Sequence, residues 1–138
     1  YKLKGMEIIH ELDKISNLLM IGISILVQFI IYPSFKKPDF KNFNVFHISY
    51  SNKMFYIVAP IMLTELFSSA ILVYENLAES YLISFCLLVL IWGLTFMFIV
   101  PIHTSLSKKH NEELVGKMIK LNSLRTLFWS LKYLIVGF

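Results

Sequence analysis

The chain reads as an all-α integral membrane protein, an up-down four-helix transmembrane bundle, on three observations. Hydrophobic residues make up 57% of its 138 positions against 16% charged, with a mean hydropathy of +0.66, a composition suited to a bilayer and foreign to an ordinary soluble domain. Four apolar runs recur along the sequence, each about 20 residues long, the length that crosses a hydrocarbon core of roughly 30 Å. Lysines and tyrosines gather at the ends of these runs, where charged anchors and aromatic belts belong. The spans take up nearly all of residues 1–138, so the sequence predicts a single membrane domain.

The elements follow in order. Residues 1–14 mix Lys2, Lys4, Glu7, Glu11, Asp13 and Lys14 with Met6, Ile8 and Ile9, the pattern of an amphipathic interfacial helix. Span 1 covers about 15–32, and is too long for a cleaved signal peptide. Pro33, Lys36, Lys37, Pro38 and Asp39 close it, because proline cannot continue the hydrogen-bond ladder and the charges belong in water. Phe40 to Lys53 is polar and aromatic by turns, so helix 2 is expected to begin outside the hydrocarbon near residue 44 and to span about 54–74, kinked at Pro60. Glu75, Asn76, Glu79 and Ser80 make a short acidic turn. Span 3 covers about 81–102 with Pro101 near its end, and span 4 covers about 112–138 after a polar connection. Short connections make successive helices antiparallel neighbours.

Charge placement sets orientation and excludes some partners. The 1–2 and 3–4 connections carry Lys36, Lys37, Lys41, Lys53, Lys108 and Lys109, with Lys117 and Lys120 close by; the opposite face has Lys2, Lys4, Lys14 and Lys132. That asymmetry puts the two connections in the cytoplasm and both termini outside. The net charge of +4 comes from lysines flanking apolar runs and not from a basic stripe with interleaved aromatics, so nucleic acid is not an expected partner. The lone Cys86 supports neither a disulfide framework nor a thiolate cluster. No phosphate-cradling glycine loop, dinucleotide fingerprint, His-Glu-x-x-His or nucleophile elbow occurs.

Polar groups inside spans demand reasons, since a charge at the bilayer centre costs about 2.5–3.5 kcal/mol on insertion scales. Glu65 stands in the middle of span 2; Gln28, His103, Asn122 and Arg125 fall in the half near the 1–2 and 3–4 connections. Arg125 is the expected partner of Glu65, because a guanidinium keeps its proton and its fork fits a carboxylate. The pair reads either as a structural ion pair fixing helix register or as a site where Glu65 exchanges a proton and Arg125 holds an anion or oxyanion. Trp129, one turn beyond Arg125, is placed to shield it. His47 and His103 stand at similar heights, so a metal ion or an axially ligated haem on that pair is one reading and hydrogen-bonded interfacial histidines the other. His47 and Glu65 are 18 residues apart, about 27 Å of helix, too far to share an ion. Glu7-x-x-His10 has the spacing of a di-iron ligand pair but occurs once, and the chemistry needs two. His110, amid Lys108, Lys109 and Asn111, reads as a solvated loop residue.

The order Val27-Gln28, Tyr32-Pro33, Phe46-His47, Pro60 with Glu65, Trp92 and Thr95, Pro101-x-His103 and Asn122-x-x-Arg125-Thr126-x-x-Trp129 resembles the DUF1772, or anthrone oxygenase-like, group of small four-span bacterial membrane proteins. The similarity runs from about residue 15 to Trp129, and Ser123 departs from the tryptophan that many members have after the asparagine. The resemblance implies a bacterial cytoplasmic-membrane protein. Its named branch oxidises anthrones to anthraquinones, which would assign acid, base or oxyanion-binding roles to Glu65, His103, Asn122 and Arg125, with Gln28, Tyr32 and Trp129 in support.

Three functions therefore stand at the level of sequence. The first is an oxidoreductase or oxygenase-like enzyme with an intramembrane polar pocket for a hydrophobic aromatic or quinone-like molecule, Glu65 or His103 acting as base and Arg125 with Asn122 steadying an oxyanion. The second is a scaffold subunit of a larger membrane complex, or a homo-oligomer, with polar residues serving helix packing only. The third is a proton or solute carrier using Glu65. The first needs a ligand-sized pocket at Glu65 and Arg125, the second a dry and fully paired interior, the third a water path to both faces.

Overall fold

The computed structural model describes residues 1–36 and 42–137. Lys37, Pro38, Asp39, Phe40 and Lys41 of the predicted 1–2 connection, and Phe138 at the end of predicted span 4, lie outside the described residues. The described chain is helical, with four long helices: α1 (Lys2–Ser34), α2 (Phe43–Glu75), α3 (Glu79–Lys108) and α4 (Glu112–Val136). The first three are long and apolar enough to cross a membrane. Helix α4 has the length, but Lys117, Lys120, Arg125 and Lys132 within it and two glutamates in its first turn lower its hydropathy.

Two boundaries differ from expectation. The interfacial segment 1–14 and span 1 form one unbroken helix, because nothing between Lys2 and Leu26 interrupts the ladder. Pro33 does not end α1 at Tyr32: the helix passes through a π-helical turn, Val27–Ile31, and Pro33 then sits in the last short stretch Tyr32–Ser34. Helix α3 repeats the device, with a π-helical turn at Thr95–Ile99 followed by Val100–Lys108, which contains Pro101. A wider turn just before a proline relieves the clash of its ring with the preceding turn and re-aims the side chains that follow, here Tyr32 and His103. Pro60 is carried inside α2. Helix α4 opens on Asn111, whose side chain accepts from the Glu113 and Leu114 amides at 3.0 and 3.3 Å, satisfying two otherwise orphan donors.

The helices pack in a ring, α1 against α2, α2 against α3, α3 against α4, and α4 back against α1. Pairs along each seam run in opposite directions. On α1 and α4, Asp13 meets Lys132, Asn17 the Trp129 carbonyl and Gln28 meets Asn122; on α2 and α3, Asn44 reaches Lys108 and His47 reaches His103. The bundle is therefore up-down, as short connections require.

The side-chain distribution is inverted relative to a soluble bundle. Phe29, Ile30, Phe55, Phe67, Leu90 and Met97 are exposed on the outside, while Asp13, Asn17, Glu65, Asn122, Arg125 and Lys132 are buried. An apolar perimeter around a polar interior suits helices that face lipid, where packing and hydrogen bonds, not hydrophobic burial, hold helices together. Two apolar clusters also lie in the interior. One, at the end with the 1–2 and 3–4 connections, contains Phe35, Phe43, Leu106, Val115 and Met118; the other contains Met20, Met62, Leu88, Ile91 and Trp129.

Candidate functional site

Glu65 is fully buried, as its position in mid-span demands, but its cation is Lys132 and not Arg125. The Lys132 ammonium lies 3.2 Å from Glu65 Oε1, an ion-pair contact without hydrogen-bond alignment, and donates to both oxygens of Asp13 at 2.9 Å. Glu65 Oε2 accepts from the Trp129 indole at 3.1 Å. Asp13 and Lys132 were expected at the membrane edge; they are 2% and 0% exposed. Depth explains the exchange of partners. Lys132 lies seven residues beyond Arg125, about 10 Å along α4, which places it beside Asp13 of the antiparallel α1 and beside Glu65.

Arg125 stands on the other side of Trp129. It is 7% exposed, its guanidinium lies 4.8 Å over the indole, and its Nε has no hydrogen-bond partner. No carboxylate pairs with it among the described residues. It faces a cavity of about 590 Å³ whose lining includes Tyr32, Tyr50, Met62, Trp92, His103 and Trp129. The lining is mostly apolar, and Phe55, Leu63, Phe96 and Val100, which also line it, are exposed on the outer surface of α2 and α3. The cavity thus reaches the apolar perimeter between those two helices. Glu65 does not line it, so the predicted pocket shared by Glu65 and Arg125 resolves into a pocket at Arg125 and a closed ion cluster at Glu65.

Asn122 lines the cavity, but its amide donates to the Ser24 carbonyl at 3.2 Å and to Gln28 Oε1 at 2.9 Å. With both protons committed it is not placed to stabilise an oxyanion. Gln28, expected in support, is its partner, and the same seam is tied by a hydrogen bond between the Ser24 and Thr126 hydroxyls and by Asn17 donating to the Trp129 carbonyl at 3.1 Å. These contacts hold α1 to α4.

His47 and His103 meet. Their rings are stacked at 21° with centroids 5.1 Å apart, and His47 Nε2 lies 2.9 Å from His103 Nδ1. The outer nitrogens are engaged as well, His47 Nδ1 with Ser107 Oγ at 2.9 Å and His103 Nε2 with the Tyr32 hydroxyl at 3.2 Å. This arrangement does not fit an axially ligated haem. Two nitrogens ligating one iron from opposite sides at about 2.0–2.1 Å each would stand roughly 4 Å apart with no hydrogen bond between them. No group of three or more His, Cys, Asp or Glu side chains is gathered for a metal among the described residues. His10, half of the Glu7-x-x-His10 pair, is bonded instead to the Val136 carbonyl at 2.9 Å. His110 is half-buried, bonded to the Phe35 carbonyl at 2.7 Å and edge-on to Phe43, and is not a solvated loop residue.

Sequence reasoning missed Asp13, Lys132, Ser107 and the α1–α4 polar seam. The seam carried a signal: Asn17, Ser24 and Gln28 recur at spacings of seven and four, as do Asn122, Thr126 and Trp129 at four and three, each marking one helix face. Lys132 carried one too, as a lone charge in Leu131-Lys132-Tyr133-Leu134-Ile135. The chain matches no protein-family profile, no curated protein and no solved structure.

Proposed function

We propose that this chain is a four-span protein of the bacterial cytoplasmic membrane whose cavity binds a hydrophobic aromatic or quinone-like molecule, held by an electron-rich oxygen on Arg125. The observation that carries the proposal is the guanidinium itself, buried without a carboxylate partner among the described residues and facing a ligand-sized apolar cavity. A lone cation in an apolar interior is expensive, and such residues mark binding sites. The fork of N–H donors suits a carbonyl, phenolate or enolate oxygen, and the aromatic lining of Tyr32, Tyr50, Trp92 and Trp129 suits a flat ring. The gap between α2 and α3 lets such a molecule enter from the acyl-chain region. Membership of the DUF1772 group, and with it an oxidoreductase or oxygenase-like activity, is part of this proposal. Arg125 would then stabilise negative charge gathering on the ligand oxygen.

The topology belongs to the proposal as well. With Lys132 buried in the bundle, the outer face keeps only Lys2, Lys4 and Lys14, which supports cytoplasmic 1–2 and 3–4 connections.

Both tryptophans of the chain, Trp92 and Trp129, line the cavity, so their fluorescence reports on it directly. Titrating detergent-purified protein with a methyl-naphthoquinone should give saturable quenching. Arg125→Met should weaken the apparent affinity about tenfold or more, the worth of one charge-assisted hydrogen bond. Quenching that never saturates, or an affinity unchanged in Arg125→Met, defeats the proposal.

A further inference from the structure

We infer that Ser107, His47, His103 and Tyr32 form a proton relay from the rim of the bundle to the oxygen of the molecule bound at Arg125. The inference rests on the ligand reading above for its inner terminus, and on a separate observation for the relay itself. Four side chains from three helices are joined by three consecutive hydrogen bonds of 2.9, 2.9 and 3.2 Å. All are within the usual range for such bonds, and every link joins groups that can both give and take a proton.

The chain has two complete settings. In one, Ser107 donates to His47 Nδ1, His47 Nε2–H donates to His103 Nδ1, His103 Nε2–H donates to the Tyr32 oxygen, and the Tyr32 O–H is free to donate into the cavity. In the other every bond is reversed: Tyr32 donates to His103 Nε2, His103 Nδ1–H to His47 Nε2, and His47 Nδ1–H to Ser107. Each imidazole holds a single ring proton in both, so neither setting places an imidazolium beside Arg125.

Passing from the first to the second moves one proton inward, from the rim to the cavity, and passing from the second to the first moves one outward. Water at the rim receives the Ser107 proton in the outward direction, or supplies it in the inward direction, and each N–H or O–H bond broken is matched by one formed at the next atom. A phenolic ligand would give its proton to Tyr32 as Tyr32 gives its own to His103. Its anion would be left on Arg125, with no oxidant or reductant involved.

At the middle link the surroundings favour transfer along the chain. His47 is fully buried, stacked on Phe43 at 22° and met edge-on by Phe35, so its protons have no exit except its two bonded neighbours. Ser107 is half-buried on the last turn of α3, beside the exposed Lys108. Tyr32, His103 and Ser107 all line the cavity, Ser107 from the end of α3, and the Arg125 charge is near enough to act on Tyr32 and His103. The π-helical turn before each proline places these two side chains opposite one another, which an uninterrupted α-helical register would alter.

Two measurements test the relay. In ligand-free protein labelled with 15N-histidine, exchange between the settings gives all four ring nitrogens shifts between the protonated and unprotonated extremes. A single locked tautomer in both rings overturns the relay whether or not anything binds. The second uses 2-naphthol, whose excited state is a strong acid and whose emission distinguishes phenol from phenolate. Bound to the wild type it should emit as the anion; in Tyr32→Phe, His47→Gln and the milder rim variant Ser107→Ala the anion band should fall about tenfold or more, in the range of lost acid–base catalysis. Affinity should stay within about twofold in His47→Gln, because His47 does not line the cavity and both Arg125 and the Tyr32 hydroxyl are untouched. Undiminished anion emission from naphthol bound to these variants overturns the relay. Failure of naphthol to bind the wild type counts against the ligand reading, while the nitrogen shifts still decide the relay.

Discussion

Two polar centres share the interior of this bundle, and the indole of Trp129 stands between them. On one side Asp13, Glu65 and Lys132 are closed on one another, each at most 2% exposed, with the ammonium bonded to both oxygens of Asp13. On the other, Arg125 lies over the face of that indole, without a carboxylate partner among the described residues, and opens onto a cavity of about 590 Å³. The first sets one ammonium between two carboxylates and does not open onto the cavity. The second leaves its charge unanswered and provides the room. Buried groups of opposite charge that meet one another hold helices in register, whereas a buried cation without an ionic partner beside a cavity has a vacancy for the missing charge or dipole.

The sharpest way to break this contrast is Lys132→Met. It strands two carboxylates that have no other ion-pair partner among the described residues, and the expected loss of stability is about 3–5 kcal/mol, read by denaturant titration in mixed micelles. Adding Asp13→Asn and Glu65→Gln to Lys132→Met should restore most of that loss, since removing every charge of a buried group avoids the desolvation cost that removing one leaves behind. A loss from Lys132→Met below about 1 kcal/mol would place the cluster in contact with water and remove the distinction.

Next in size is an asymmetry within the closed centre. Asp13 takes two bonds from Lys132 at 2.9 Å and a longer one from the Ser68 hydroxyl at 3.4 Å, whereas Glu65 has one ion-pair contact at 3.2 Å and one indole donor. Asp13→Asn should therefore cost about 2 kcal/mol by loss of charge-assisted bonds. Glu65→Gln should cost about 1 kcal/mol or less, because an amide oxygen still accepts from Trp129 and the Asp13–Lys132 pair stays balanced. Equal costs would mean that Lys132 is shared evenly between the two carboxylates.

The same contrast separates what was legible in the sequence from what was not. The four helices were, because the apolar runs have the length of a span and the caps and turns sit between them. That Glu65 and Arg125 lie inside was legible from their apolar neighbours, and the meeting of His47 with His103 from their matching heights. The identity of partners was not. Asp13 is surrounded in sequence by Glu11 and Lys14, and Lys132 lies near the end of α4, so both look like edge residues; only the antiparallel register of α1 and α4 reveals that they face one another at depth. The two π-helical turns were equally hidden, since a proline signals that the ladder must give way without saying how. Helical register across a seam is a tertiary property, and a difference of seven residues on α4 decides which cation Glu65 finds.

The smallest change in stability is expected at the residue that carries the proposed function. Arg125→Met keeps the length of the side chain and removes a charge that no carboxylate balances among the described residues, so stability should stay within about 1 kcal/mol of the wild type or rise, by the same reasoning that makes Lys132→Met damaging. Its cation–π contact with Trp129 is replaced by a thioether against the same ring, a contact of similar size at about 0.3–1.5 kcal/mol. The two methionine variants thus form a matched pair in one helix, both deleting a buried cation, with opposite predictions. If Arg125→Met proved as costly as Lys132→Met, the guanidinium would be holding the bundle together and the cavity beside it would be a packing defect. A stable Arg125→Met that has lost its hold on the naphthoquinone leaves binding as the reason the charge is there.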